Sequence, residues 1–488
     1  MKKSAAIVAG LVVLAGAWLG GTWYTGQMLE TKSAQGIAQF NAQIAEQTPP
    51  GMRVTLAELS LERGFFSSRA RYAVNVVTDR PVSRQLKEPL DVQLEMDVEY
   101  EHGPFPASAL ARGQFMPQMV FARSNLRETE STAQWFKLAQ GQTPLTVQAT
   151  ATYGGNGQFA LNFAALKTEH KNAAFSFAGA KMDGTVQGKS QHKIQNVQAV
   201  LSMPEISMTS VEGRTKAPFA LHLNDLRMDV DTWQNRFDTR SGSNQLSIAN
   251  LRMEEDGQTK LTLEQLTYNT THTDDEQFMH AEATLSAKAV AVAGQALGNL
   301  SITTQLKRLD GKTVKQLAGT LSEVFAQARK NQSPQEVNLT LTSAVDDLIE
   351  IAQSLLAHSP ALMQELNLET DKGRSTLALN LTLQPLPATT PMDLSTLYRA
   401  VKSATLDVNA HQPMLTDLSA KLLQITGAKT NAQTEAVKQI EQGVLMATLL
   451  GIVEKQGDAL KSRWAYDGTR FSVNGREMPL EGLFQLIR

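Results

Sequence analysis

The residue best suited to chemistry in this chain is the histidine of His102-Gly103-Pro104-Phe105-Pro106. An imidazole titrates near neutral pH and can serve as acid, base or ligand. It needs a partner at hydrogen-bond range, and none stands at motif spacing. Glu99 and Glu101 are close in sequence but need not face it. The expected role is structural: glycine and two prolines set a rigid turn, Phe105 plugs the core, and His102 bonds a backbone carbonyl. Arg63-Gly64-Phe65-Phe66 reads as a hairpin turn with buried aromatics. The alternative is an exposed Phe65-Phe66 pair that touches lipid or a partner.

Other constellations are weaker. Asp274-Asp275-Glu276 lies near His272 and His280, but it lacks the glycine and ligand order of a calcium loop. A solvated acidic turn is expected there. The eight histidines form no His-x-x-x-His or His-Glu-x-x-His pair. No Gly-x-Ser-x-Gly, Walker loop or Ser-x-x-Lys set with its partners stands out. With no cysteine, thiol nucleophiles, zinc ribbons and iron–sulfur clusters are excluded. No catalytic, cofactor or metal residues are therefore assigned, and a non-enzymatic protein is expected, with a hydrolase as a distant third reading. A net charge of −2 gives no footprint for nucleic acid.

The elements that hold these residues begin with a leader. Lys2 and Lys3 precede an uncharged run from Ser4 to Leu29, and its apolar part, Ala5 to Tyr24, has roughly the 20-residue length of a membrane-spanning helix. Trp18, Trp23 and Tyr24 stand at its far end, where amphipathic rings favour the interface. The positive-inside bias keeps the N-terminus cytoplasmic and sends the body across the membrane. A cleaved signal peptide, with Ala15-Gly16-Ala17 as its cleavage site, is the alternative, and it exports the same body.

Gln27–Gln47 continues as a helix with Met28, Ile37, Phe40 and Ile44 near one stripe. Alternating runs then predict strands over Val54–Leu61, Ser68–Thr78, Val92–Tyr100, Leu145–Tyr153 and Gln158–Lys167. Five stretches share a phrase, apolar-x-apolar-x-x-apolar-x-apolar, among them Leu221 to Met228, Leu246 to Met253 and Leu261 to Tyr268. A β-bulge midway would keep the apolar residues on one face and curl the sheet. After Asp310-Gly311, stripes predict helices over Val314–Ala328, Leu348–Leu356, Met414–Ile425 and Ala432–Lys461. Gly443–Val453 of the last is too short to span a bilayer, and is expected to pack on a sheet. Asp467-Gly468 and Asn474-Gly475 mark a closing hairpin, and Pro479–Leu486 a short helix.

The expected class is α+β: an N-terminal transmembrane helix, then a large body of curved, mostly antiparallel sheet, with helices concentrated in the C-terminal third. The divisions are 1–26 (anchor), 27–50 (membrane-proximal helix), 51–310 (β-rich) and 311–488 (mixed α/β).

Four stretches resemble the YdgA-like family of enterobacterial inner-membrane proteins, which includes YihF. They are Gly20-Gly21-Thr22-Trp23-Tyr24-Thr25-Gly26, Arg63-Gly64-Phe65-Phe66-Ser67-Ser68, His102-Gly103-Pro104-Phe105-Pro106 and Asn474-Gly475-x-x-Met478-x-Leu480-Glu481. The resemblance spans the whole chain. It implies an N-terminally anchored envelope protein of the periplasm, and no reaction. Two functions are expected from the sequence. In one, the apolar concave face of the sheet holds a lipid, an acyl chain or a partner peptide. In the other, the protein is a scaffold for an envelope partner or a homodimer, and that face is filled core.

Overall fold

A computed structural model describes residues 22–479, apart from 23, 29, 32, 43, 46, 47, 49, 50, 80–87, 171, 190–192, 212–216, 331–344, 387–396 and 428–430. Most of the expected transmembrane helix, with Trp18 and Trp23, and most of the closing helix lie outside the described residues; of the expected anchor 1–26 only Thr22 and Tyr24–Gly26 are described, and they are helical. Among those described, no helix is long and apolar enough to cross a membrane. The chain is mostly antiparallel sheet and divides into two compact units.

The first unit comprises Met1–Thr168, Phe175–Pro204 and Gly319–Ala344. Its described residues from 22 to 45 are helical. The strands follow as β1 (Met52–Arg63), β2 (Ser67–Thr78), β3 (Asp91–His102), β4 (Val120–Leu126), β5 (Leu145–Ala151) and β6 (Gly157–Phe163). Each pairs antiparallel with the next. The short strands β7 (Leu166–His170) and β8 (Ala173–Phe177) are passed over, and β6 pairs with β9 (Ala180–Lys189), which pairs with β10 (Lys193–Ser210). Ala70, Ala73, Phe121 and Leu126 form the core. Asn41 ties the helix to β1: its amide donates to the Leu56 carbonyl at 2.9 Å and accepts from the Leu56 N–H at 2.7 Å. That satisfies both main-chain groups of Leu56.

The second unit is a longer ladder. Its strands are β11 (Phe219–Gln234), β12 (Arg240–Glu255), β13 (Gln258–Asp274), β14 (Phe278–Val292), β15 (Gln295–Asp310), β16 (Ala361–Thr370), β17 (Gly373–Leu383) and β18 (Val401–His411). Each pairs antiparallel with its neighbour in sequence. β18 then pairs with β20 (Ala459–Tyr466), which also carries β19 (Glu454–Gln456) and the hairpin of β21 (Phe471–Val473) and β22 (Arg476–Met478). The two Gly-containing turns of that hairpin stand where the sequence placed them. The helices Gly311–Lys330, Val345–Leu356 and Gln412–Ile425 also form over the expected stripes.

The last helix differs from expectation in length and in packing. It ends at Leu449 rather than Lys461, because Gly451 and Gly457 take left-handed φ values of 71° and 61° and turn the chain into β19 and β20. Among the described residues it packs chiefly against Gln412–Ile425, with Ala432 and Ala436 buried and Leu445, Met446, Leu449 and Leu450 exposed.

The recurring phrase is corrected in mechanism. The slip lies at Asp225 in β11 and Gln265 in β13, both left-handed with φ near 50°. Pairing on either side keeps one register: Asn224 faces Asn250 and Leu226 faces Ile248, then Asn250 faces Glu264 and Ile248 faces Leu266. Neighbouring strands therefore slip together, because each carries the extra residue at the same depth, and no register-shifting bulge is needed there. Such shifts occur elsewhere, as at Glu58/Ser60, Ile194/Asn196 and Met253/Glu254.

Candidate functional site

In the first unit three of the motif stretches converge. The β1–β2 turn is closed by a bond from the Gly64 N–H to the Ser67 carbonyl. His102, at the end of β3, clamps that turn twice: its N–H donates to the Phe66 carbonyl at 2.8 Å, and its Nδ1 lies 3.0 Å from the Phe65 carbonyl. A carbonyl only accepts, so Nδ1 carries the proton, and in the neutral ring Nε2 accepts from the Ser68 hydroxyl at 2.8 Å. The helix lies over the ring. Gly26 is so close that an added Cβ would meet His102 Cε1 at 2.8 Å, and Thr22 donates to the Gly103 carbonyl at 2.6 Å. Arg63 pairs with Glu30 at 2.8 Å. Gly103 and Pro104 are joined by a cis peptide bond.

Ser68 and His102 have the atoms of a nucleophile and a base, but both are buried, 2% and 3% exposed. Neither flanking glutamate completes a triad. Glu101 accepts from the Ser108 N–H and hydroxyl, and Glu99 faces Arg123 across the ladder. The geometry is that of a structural clamp, as expected for His102. Two other expectations fail. Phe65 and Phe66 are about half exposed and meet edge to face at 4.9 Å, because the clamp holds the turn by its carbonyls and leaves the rings outside. Phe105 is 36% exposed and does not plug the core; Pro106 is buried beside it. Sequence reasoning missed the pairing of Gly26 with His102, for which a glycine within a helical stretch was the available signal.

Burial pushes the His102 pKa below the ordinary 6.5, against the opposing hydrogen bond to Phe65. The folded state then binds fewer protons than the unfolded chain at mildly acidic pH, so stability rises with pH there. The contribution is complete above about 6.5 and is lost as pH falls through the depressed folded value. Urea midpoints measured from pH 7.5 down to 5 should fall in the wild-type chain more than in His102→Gln, which does not titrate.

The acidic turn in the second unit is solvated, as expected. Asp275 accepts from the Gln277 and Phe278 N–H groups and contacts His280 at 3.2 Å, which lowers its pKa to about 2. Among the described residues no group of side chains could hold a metal ion. Asn474 of the fourth motif stretch locks the closing hairpin, donating to the Gly451 and Ile452 carbonyls and accepting from the Arg463 N–H.

The second unit carries the other candidate site. Directly opposed residues share a face of a sheet. One such row runs Met228–Leu246–Tyr268–Leu285–Ile302–Leu366–Leu377–Val408 across eight consecutive strands, with every member apolar or aromatic. The adjacent row points to the opposite face and reads Arg227–Ser247–Thr267–Ser286–Ser301–Asn367–Thr376–Asn409, all polar. None of the eight apolar residues is fully buried, and Met228, Tyr268, Leu285 and Leu377 are more than a third exposed. Helix Gln412–Ile425 packs near β15, β17 and β18 with Met414 fully buried.

A family model described as "Bacterial protein of unknown function (DUF945)" matches residues 1–481. Protein YdgA of Escherichia coli K12 is 24% identical over 507 aligned positions, covering all of this chain and 97% of that protein. The uncharacterised protein YihF of the same organism is 23% identical, covering 99% of this chain and 98% of its own length. An uncharacterised Haemophilus influenzae protein is 24% identical over 179 positions, which cover 36% of this chain and 46% of that protein.

Proposed function

The chain belongs to the DUF945 family, and we propose that it is a non-enzymatic, inner-membrane-tethered periplasmic protein of the cell envelope, holding a lipid or acyl chain on the concave face of a curved sheet. One observation carries the ligand reading: the continuous apolar row of the second unit, left partly exposed although the adjacent row on the reverse face is polar in every strand. A row of apolar side chains facing water is unfavourable at about 25 cal/mol per Å² of apolar surface, and a bound apolar ligand recovers that energy. Strands about 4.8 Å apart make the row roughly 34 Å long, about the thickness of a bilayer core and ample for one acyl chain. The tether reading is supported by the uncharged leader Ser4–Leu29 and its basic start.

The test is a photo-crosslink. Leu285→p-benzoylphenylalanine in the full chain, irradiated in its own membranes, is expected to give adducts of lipid mass. The same replacement at Ser301, on the polar face, should give none. The exposed group Leu445, Met446, Leu449 and Leu450 favours a second reading, a scaffold or homodimer. A single protein adduct at Leu285 in place of lipid would support that reading and remove the first.

A further inference from the structure

We infer that the half-exposed aromatic turn Phe65-Phe66 seats in the interfacial layer of the bilayer from which the chain emerges. This rests on the tether reading, and it adds the surface that holds the body against the membrane.

The direction of the helix carries the inference. Asn41 is fixed to Leu56, Glu30 to Arg63, Gly26 lies on His102 and Thr22 bonds Gly103. Followed from residue 41 back to residue 22, the helix runs along β1 from its middle to its end. That path is about 28 Å at 1.5 Å per residue. Thr22 therefore lies at the level of the β1–β2 turn, and the apolar leader Ala5–Gly21 precedes it. If that leader spans the bilayer, the membrane surface meets the body where Phe65 and Phe66 stand exposed.

The chemistry of the turn fits that position. His102 takes up the carbonyls of Phe65 and Phe66, so the turn presents rings to the outside and has those two polar backbone groups already satisfied. The nearest charge, Arg63, is paired with Glu30. Aromatic side chains at this depth are the usual interfacial anchors.

The chain has no cysteine, so single cysteines can be labelled without changing any other residue. The full chain would be reconstituted in phosphatidylethanolamine–phosphatidylglycerol vesicles with an environment-sensitive fluorophore at Phe66→Cys, Phe40→Cys or Leu14→Cys. Nitroxide lipids, shallow or deep, serve as quenchers. The Phe66 label should lose roughly half of its emission to the shallow quencher, as expected for a group 5–10 Å into the interface. The Leu14 label should respond to the deep quencher, and the Phe40 label, at the other end of the helix, to neither. A quenched Leu14 label with an unquenched Phe66 label would overturn the seating and leave the tether standing. An unquenched Leu14 label would overturn the tether and the seating with it. A Phe66 label shielded from an aqueous quencher in native membranes but open to it in pure lipid vesicles would assign the turn to a protein partner and overturn the bilayer assignment.

Discussion

Gly103→Ala is expected to destabilise the first unit by on the order of 3 kcal/mol, enough to lower its urea midpoint well outside error. An alanine Cβ at that position would collide with the Gln118 carbonyl oxygen and press on that of Met119. Both are backbone atoms, and Met119 O already accepts from the Gly103 N–H, so neither can move aside without breaking a ladder bond. The disturbance would spread to both sides. Thr22 bonds the Gly103 carbonyl, and the neighbouring His102 holds the β1–β2 turn. Two other glycines of the same unit calibrate the result. Gly26→Ala meets side-chain atoms of His102 and Arg63 and no backbone, so a smaller loss is expected than at Gly103. Gly36 lies in the same helix with nothing within 4 Å of an added Cβ, and Gly36→Ala should stabilise by up to about 1 kcal/mol. If all three alanine variants unfold together, the clamp geometry is wrong.

The paired substitution Tyr268→Lys with Leu285→Glu is expected to reduce bound lipid at least about tenfold while leaving the second unit folded. The two residues face each other across β13 and β14. Opposite charges directly opposed are favourable on a sheet, worth roughly 0.2–1 kcal/mol, so the ladder has no reason to open. Both positions are already more than a third exposed, so little packing is lost. An acyl chain laid along the row would meet two charged groups at its centre, and a loss of only 1.4 kcal/mol in binding is tenfold. Unchanged lipid retention would show that lipid binds elsewhere.

Much of the fold could be read in the sequence because alternation and turn chemistry are local. Val92 to Tyr100 alternates and lies within β3, and Asp467-Gly468 and Asn474-Gly475 turn where their left-handed preference requires. The apolar phrases were visible too, but their consequence was not. Only the cross-strand register shows that Met228, Leu246, Tyr268 and Leu285 align in one row, and register depends on partners far away in sequence. The end of the last long helix was misjudged because Gly451 interrupts an apolar run that continues through Ile452 and Val453, and a glycine stops a helix only when the chain beyond has somewhere better to go, here the β19–β20 hairpin. The motif cluster was half legible. His102 as a backbone clamp follows from its rigid turn, but its contact with Gly26 joins residues 76 positions apart, which no local pattern encodes.

Native mass spectrometry of the full chain, extracted from its host cells in a mild detergent, tests the proposed lipid site most directly. The wild-type protein should carry discrete mass increments of phospholipid, and the Tyr268→Lys, Leu285→Glu protein should be bare under the same conditions. A bare wild-type chain, or equal lipid on both, would contradict the assignment of the apolar row as a ligand surface.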